Sequence, residues 1–147
     1  MVLEDGRTLA ESDAILTFFG EGTRYMPQDK YLRAKMFEWM FFEQNYHEGT
    51  IAVRAAILNY SHRAHQKTPE QLQSLLESGN RVLGVMEAQL AKTPYIAGDA
   101  FTLADIAVGL SVNRWFMSPI PPKNININYP LNAETREAFA NPSSKGI

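Results

Sequence analysis

Glu11 and Ser12 are the residues of this chain whose types and order best fit a piece of chemistry. They stand in "TLAESDAI", where the spacing of Ile15, Leu16 and Phe19 predicts a short helix over 12–19, stopped by Gly20 and Gly22. Ser12 then falls at the helix start. Its hydroxyl and the first unbonded amides form a seat for a carboxylate, favoured by the positive end of the helix dipole. Glu11 beside it offers a negative charge suited to an ammonium group. Together the two would hold the zwitterionic head of an amino acid. The same pair also fits an ordinary helix start, with Ser12 capping and Glu11 in solvent.

Other candidates are weaker. His62 and His65 lie three residues apart on an expected helix end, a geometry open to two metal ligands, but the spacing suggests no third, and no metal is expected. Phe37, Trp39, Phe41, Phe42 and Tyr46 form an aromatic cluster that fits a helical core stripe better than an apolar substrate pocket. The chain has no cysteine, which excludes disulfides, cysteine metal sites and a cysteine nucleophile and fits a cytoplasmic setting. A net charge of −2 gives no electrostatic reason to expect nucleic acid or an anionic membrane as partner. The start "MVLEDG" lacks the features of a signal peptide, and no apolar run reaches membrane-spanning length.

Several elements must position Glu11 and Ser12. "VLEDGRTL" predicts a β-hairpin turning at Asp5-Gly6 through a two-residue type I′ turn. Asp29 predicts the cap of a long helix running to about His65, bent near Gly49. Thr68, Pro69 and Gln71 predict a capping box, followed by a buried stripe from Leu72 to Leu90. Thr102 and Asp105 predict a second box at a buried helix start, with Phe101 and Ile106 placed for a hydrophobic staple. Four prolines between Pro119 and Pro130 predict extended chain, before a last short helix over Asn132–Ala140.

In order and spacing, "VLEDGRTLAESDAI", Pro27, "RAKMFEWMFFEQ" and "PYIAGDAFTLADIAV" resemble a glutathione S-transferase of the cytosolic type. The resemblance implies a mainly α fold: a helical bundle preceded by a β-hairpin and short helix left from a thioredoxin-like domain. It implies residues 1–22 as the end of that glutathione-binding domain, 23–28 as linker and 29–147 as the all-helical domain. Glu11 and Ser12 match the family's grip on the γ-glutamyl end of glutathione, and Thr102 with Asp105 matches its structural capping box. The expected substrates are glutathione and a small apolar electrophile, and the expected assembly is a homodimer. In the family two strands and a helix precede the hairpin and carry the residue that activates the thiol. From Met1 onward no residue matches it, so no catalytic residue is expected in this chain. The alternative is a non-catalytic helical interaction module with a degenerate glutathione site.

Overall fold

The computed structural model describes residues 1–118. The expected helix over Asn132–Ala140 lies outside them. Seven elements follow one another: α1 (Ser12–Gly20), α2 (Lys30–Phe42), a π-helical segment (Glu43–Ala52), α3 (Val53–Asn59), a 3-10 turn (Ser61–Gln66), α4 (Pro69–Leu90) and α5 (Leu103–Met117). The chain is therefore mainly α.

The hairpin is minimal. One antiparallel bridge joins Val2 and Thr8, flanked by hydrogen bonds from the Leu3 amide to the Arg7 carbonyl (2.8 Å) and from the Leu9 amide to the Met1 carbonyl (3.0 Å). The turn differs from the two-residue I′ type. The Gly6 amide bonds the Leu3 carbonyl at 3.0 Å, and Gly6, at φ 83, has positive φ where Asp5 does not. This is a three-residue loop with glycine in the left-handed position, the bulged class of short hairpin. The Asp5 carboxylate takes the Arg7 amide and guanidinium, which lowers its pKa.

Asp29 caps α2 by accepting from the amides of Tyr31 (3.0 Å) and Leu32 (2.9 Å). The helical path then runs without a break to Asn59. The expected bend at Gly49 takes the form of a ten-residue π-helical stretch, in which the wider turn shifts the side chains that follow. His62 and His65 sit on the exposed 3-10 turn that follows.

At the centre of the bundle lies α5. Leu103, Ala104, Ala107, Val108, Val112 and Trp115 are all buried, because α1, α2, α3 and the π-helical segment each pack against it. Small residues on several faces let these neighbours approach closely. Gly20 and Gly79 extend the same logic. A Cβ on Gly20 would fall 2.5 Å from Leu103 Cδ1, and one on Gly79 would fall 2.5 Å from the Trp115 ring. Around α5 the core gathers Met26, Met36, Trp39, Met40, Ile51, Leu83, Met86 and Ile96.

Burial departs from the periodic pattern in three places. Phe19 is 62% exposed and points away from the core. On α4 only Leu83 and Met86 of the apolar stripe are buried, while Leu72, Leu75 and Leu76 stay half-buried. The aromatic cluster splits, with Trp39 inside and Phe41 and Tyr46 mostly exposed. Helical period predicts a shared face, but which neighbour covers that face is a matter of tertiary packing.

Candidate functional site

Glu11, not Ser12, is the N-cap of α1. The Glu11 carbonyl accepts the Ile15 amide at 3.0 Å, and Ser12 is the first helical residue. No side chain caps this end, so the amides of Ser12, Asp13 and Ala14 point out of the helix without a backbone acceptor in it. Both Glu11 and Ser12 are exposed.

Glu11 has φ 65 and ψ 129, and among the described residues it is the non-glycine with positive φ. That pair of angles lies outside even the small left-handed basin, a conformation that costs on the order of 1–3 kcal/mol. Such strain persists where surrounding structure imposes it, often at ligand sites. Glycine adopts these angles freely. Glu11→Gly is therefore expected to raise the melting temperature by about 3 °C, corresponding to roughly 1 kcal/mol for a chain of this length. A fall in a thermal melt would mean that the Glu11 side chain itself supports the fold.

Ser12 and Asp13 open onto a cleft of about 510 Å³ between α1, the π-helical segment and α5. Its apolar side is made by Leu16, Ile106 and Leu110, and its charged side by Glu43, Glu48 and Arg114. Arg114 Nη1 holds Glu48 at 2.8 Å. Ser111 donates to the buried Glu43 carboxylate at 2.6 Å, joining positions 68 apart in sequence. Burial raises the Glu43 pKa, with the Ser111 bond acting against it. Asp13 is raised by burial and then by the Glu48 charge, and its Oδ2 is enclosed with no hydrogen-bond partner. Proximity to the helix start thus brings together one cation and three carboxylates. Sequence reasoning missed Asp13, Glu43, Glu48 and Arg114. Only the adjacency of Asp13 to Ser12 was visible, because the others reach the cleft through tertiary packing.

Thr102 and Asp105 lie away from this cleft, at the start of α5. Asp105 Oδ2 accepts the Thr102 amide at 2.8 Å and its hydroxyl at 3.1 Å, while Oδ1 accepts the Ile96 amide at 2.9 Å. The Leu103 amide bonds the Tyr25 carbonyl, tying α5 to the segment after α1. Phe101 packs edge-on against Tyr25 and Tyr95, and Ile106 stands at the cleft, 37% exposed.

Residues 50–136 match the family model for the C-terminal domain of glutathione S-transferase. The chain belongs to the glutathione S-transferase family. Among curated relatives, glutathione S-transferase F14 of Arabidopsis thaliana is 34% identical over 114 residues, covering 71% of this chain and 44% of the relative. The disulfide-bond oxidoreductase YghU of Escherichia coli (strain K12) is 29% identical over 99 residues, 67% of this chain and 33% of the relative. A possible glutathione S-transferase from Rhodopseudomonas palustris superposes with a TM-score of 0.81 at 32% identity, over 94% of this chain and 66% of that one. A theta-class glutathione S-transferase from Xanthomonas axonopodis pv. citri, with glutathione bound, shares the fold at a TM-score of 0.73 and 24% identity, over 82% of this chain and 64% of that one. The chain spans half or less of the length of these curated relatives. A separate, short likeness links 35 residues at 43% identity to a glutamate/aspartate import solute-binding protein of Escherichia coli, covering 24% of this chain and 12% of that protein. Among the described residues no helix is long and apolar enough to cross a membrane.

Proposed function

We propose that the complete protein takes glutathione as substrate and that the start of α1 receives its γ-glutamyl end. The γ-glutamyl carboxylate meets the Ser12 hydroxyl and the open first-turn amides, and the ammonium turns to Glu11. The strained, positive-φ backbone of Glu11 is the observation that carries this reading, since strain of that kind at an exposed residue supports a recognition role. Family membership supports it independently.

In conjugation the glutathione thiol gives up its proton, and the thiolate sulfur forms a bond to an electrophilic carbon of a small apolar compound as the bond from that carbon to a leaving group breaks. The leaving group departs with the electron pair, and the proton passes to it or to solvent. A donor that holds the thiolate makes this possible at neutral pH. Glu11 and Ser12 grip the opposite end of the tripeptide and have no part in that step. The same grip serves a disulfide substrate equally well, because the γ-glutamyl end is remote from the sulfur. Residues 1–22 act here as the end of a thioredoxin-like glutathione-binding domain, 23–28 as linker and 29–147 as the helical domain, in a cytoplasmic homodimer. An exposed groove of about 420 Å³ along α2 and α4, lined by Phe41, Phe42, Tyr46 and Val85, supports self-association.

The rival reading is a non-catalytic helical interaction module. The hairpin favours it, since Val2 is 71% exposed beside a single bridge and such an edge invites another strand. Calorimetric titration with glutathione separates the two. Measurable binding by the unmodified chain and its loss in the Glu11→Ala, Ser12→Ala double variant are the expected results. No binding at all, or undiminished affinity in the double variant, overturns the assignment.

A further inference from the structure

Arg54 of α3 is 4% exposed, yet no carboxylate among the described residues pairs with it. Its Cζ stands 5.1 Å from the ring centroid of Trp115, a side chain that is itself buried. The same indole packs on Gly79 of α4, where a Cβ would fall 2.5 Å from the ring. The guanidinium therefore lies where α3, α4 and α5 meet. Two donors here lack an acceptor: Arg54 Nε and Trp115 Nε1 are both enclosed without a hydrogen-bond partner. A guanidinium keeps its proton at any pH the folded chain meets, so it cannot become neutral to suit its burial. Burial lowers its pKa, and no neighbouring charge acts the other way, as a carboxylate would. Residues 49–69 contain no Asp or Glu, and Glu48, the nearest acid in sequence, is held by Arg114. The aromatic face offsets part of the lost hydration, and the remainder calls for a negatively charged acceptor.

We propose that the Arg54 guanidinium and the Trp115 indole N–H bind a small inorganic anion of halide size, taken up from solvent. Such an ion accepts from both donors at once, and the narrow opening at Arg54 suits it better than a bulky organic acid. The site goes beyond the glutathione reading: Arg54 does not line the cleft at Ser12, and binding here stands whether or not glutathione binds at α1.

Iodide tests this, because it quenches the fluorescence of an indole that it touches. The two tryptophans, Trp39 and Trp115, are both buried, so a hydrated ion reaches neither without a site. The full chain is titrated with iodide at constant ionic strength, with caesium as a cationic quencher and chloride as competitor. The expected result is quenching that saturates, recedes when chloride is added, and weakens roughly tenfold or more in Arg54→Met, which removes a charged donor. Caesium is expected to leave the emission unchanged. Arg54→Met exchanges an uncompensated buried charge for an apolar chain and is expected to fold. Should it not, saturation by iodide and competition by chloride in the native chain decide. A carboxylate of Glu134 or Glu137, outside the described residues, is the other source of such a charge. It would leave the native emission indifferent to iodide and sensitise the Glu134→Gln, Glu137→Gln double variant, which overturns the proposal. Quenching without saturation, or saturation unchanged in Arg54→Met, overturns it as well.

Discussion

Asp105→Ala is expected to lower the melting temperature by roughly 10 °C, for a loss on the order of 3 kcal/mol in a chain of this length. Asp105 is 7% exposed and accepts three hydrogen bonds, from the Ile96 amide and from the amide and hydroxyl of Thr102. Alanine leaves the Ile96 and Thr102 amides without an acceptor in a buried setting, at about 1–3 kcal/mol each. Burial raises the Asp105 pKa, meaning that the ionised form is held at some expense, and alanine relieves that part. The net loss is therefore smaller than the sum of the bonds. Thermal denaturation followed by circular dichroism reads the effect. A shift under 3 °C would mean that α5 starts equally well without the carboxylate. Asp105→Asn is expected to fall between, since an amide keeps one acceptor and brings its own donors toward those of Ile96 and Thr102.

Acidification is expected to unfold the protein in large part through His47. This residue of the π-helical segment is fully buried, its ring 5.5 Å from that of Phe42, and neither ring nitrogen has a hydrogen-bond partner. Burial disfavours the imidazolium and lowers the pKa from 6.5 to about 4. As pH falls, the unfolded chain takes up this proton near 6.5, while the folded chain resists until about 4. Between those values the unfolded state binds more protons, so stability declines with falling pH. At about 1.4 kcal/mol per pH unit, the loss accumulated by pH 4 is on the order of 3 kcal/mol. Asp13, Glu43 and Asp105 act in the opposite sense, because their raised pKa values make the folded state take up protons more readily than the unfolded one. Urea denaturation of the native chain and of His47→Phe between pH 7 and pH 4 isolates the histidine. Between pH 7 and pH 4 the native chain is expected to lose about 3 kcal/mol more stability than the variant, so that the difference between the two curves changes by that amount in favour of the variant. Parallel curves would mean that His47 takes its proton as readily folded as unfolded.

The legible parts of this protein were those written in local chemistry. Asp29, Thr68 with Gln71, and Thr102 with Asp105 mark helix starts because a side chain three residues or fewer away can reach the free amides, whatever else the chain does. Helical period identified α4, the Thr102–Asp105 box marked the start of α5, and the glycines after α1 marked its end. Glu11-Ser12 was legible as a helix-start pair, but the roles within it were not. Whether Glu11 or Ser12 is the cap depends on the backbone angles of Glu11, whose positive φ and extended ψ make it the last non-helical residue. Propensity argues against that conformation, so no local rule could have anticipated it. Likewise Asp5-Gly6 signalled a turn, while its length was set by which residues pair across it.

Sequence by itself determined the mainly α class and the helix starts marked by Asp29, Thr68 and Thr102, because capping and periodicity act over three to seven residues and survive any arrangement of the rest, while the family was legible as a resemblance in the order and spacing of longer motifs. Only the tertiary structure decided that a π-helical segment replaces a simple bend, that Phe41 and Tyr46 face outward while His47 is buried, and that Glu43 meets Ser111 across 68 positions. Those outcomes depend on which helix covers which face. That is fixed by the sum of many small packing energies across distant parts of the chain, to which no short pattern of residues corresponds.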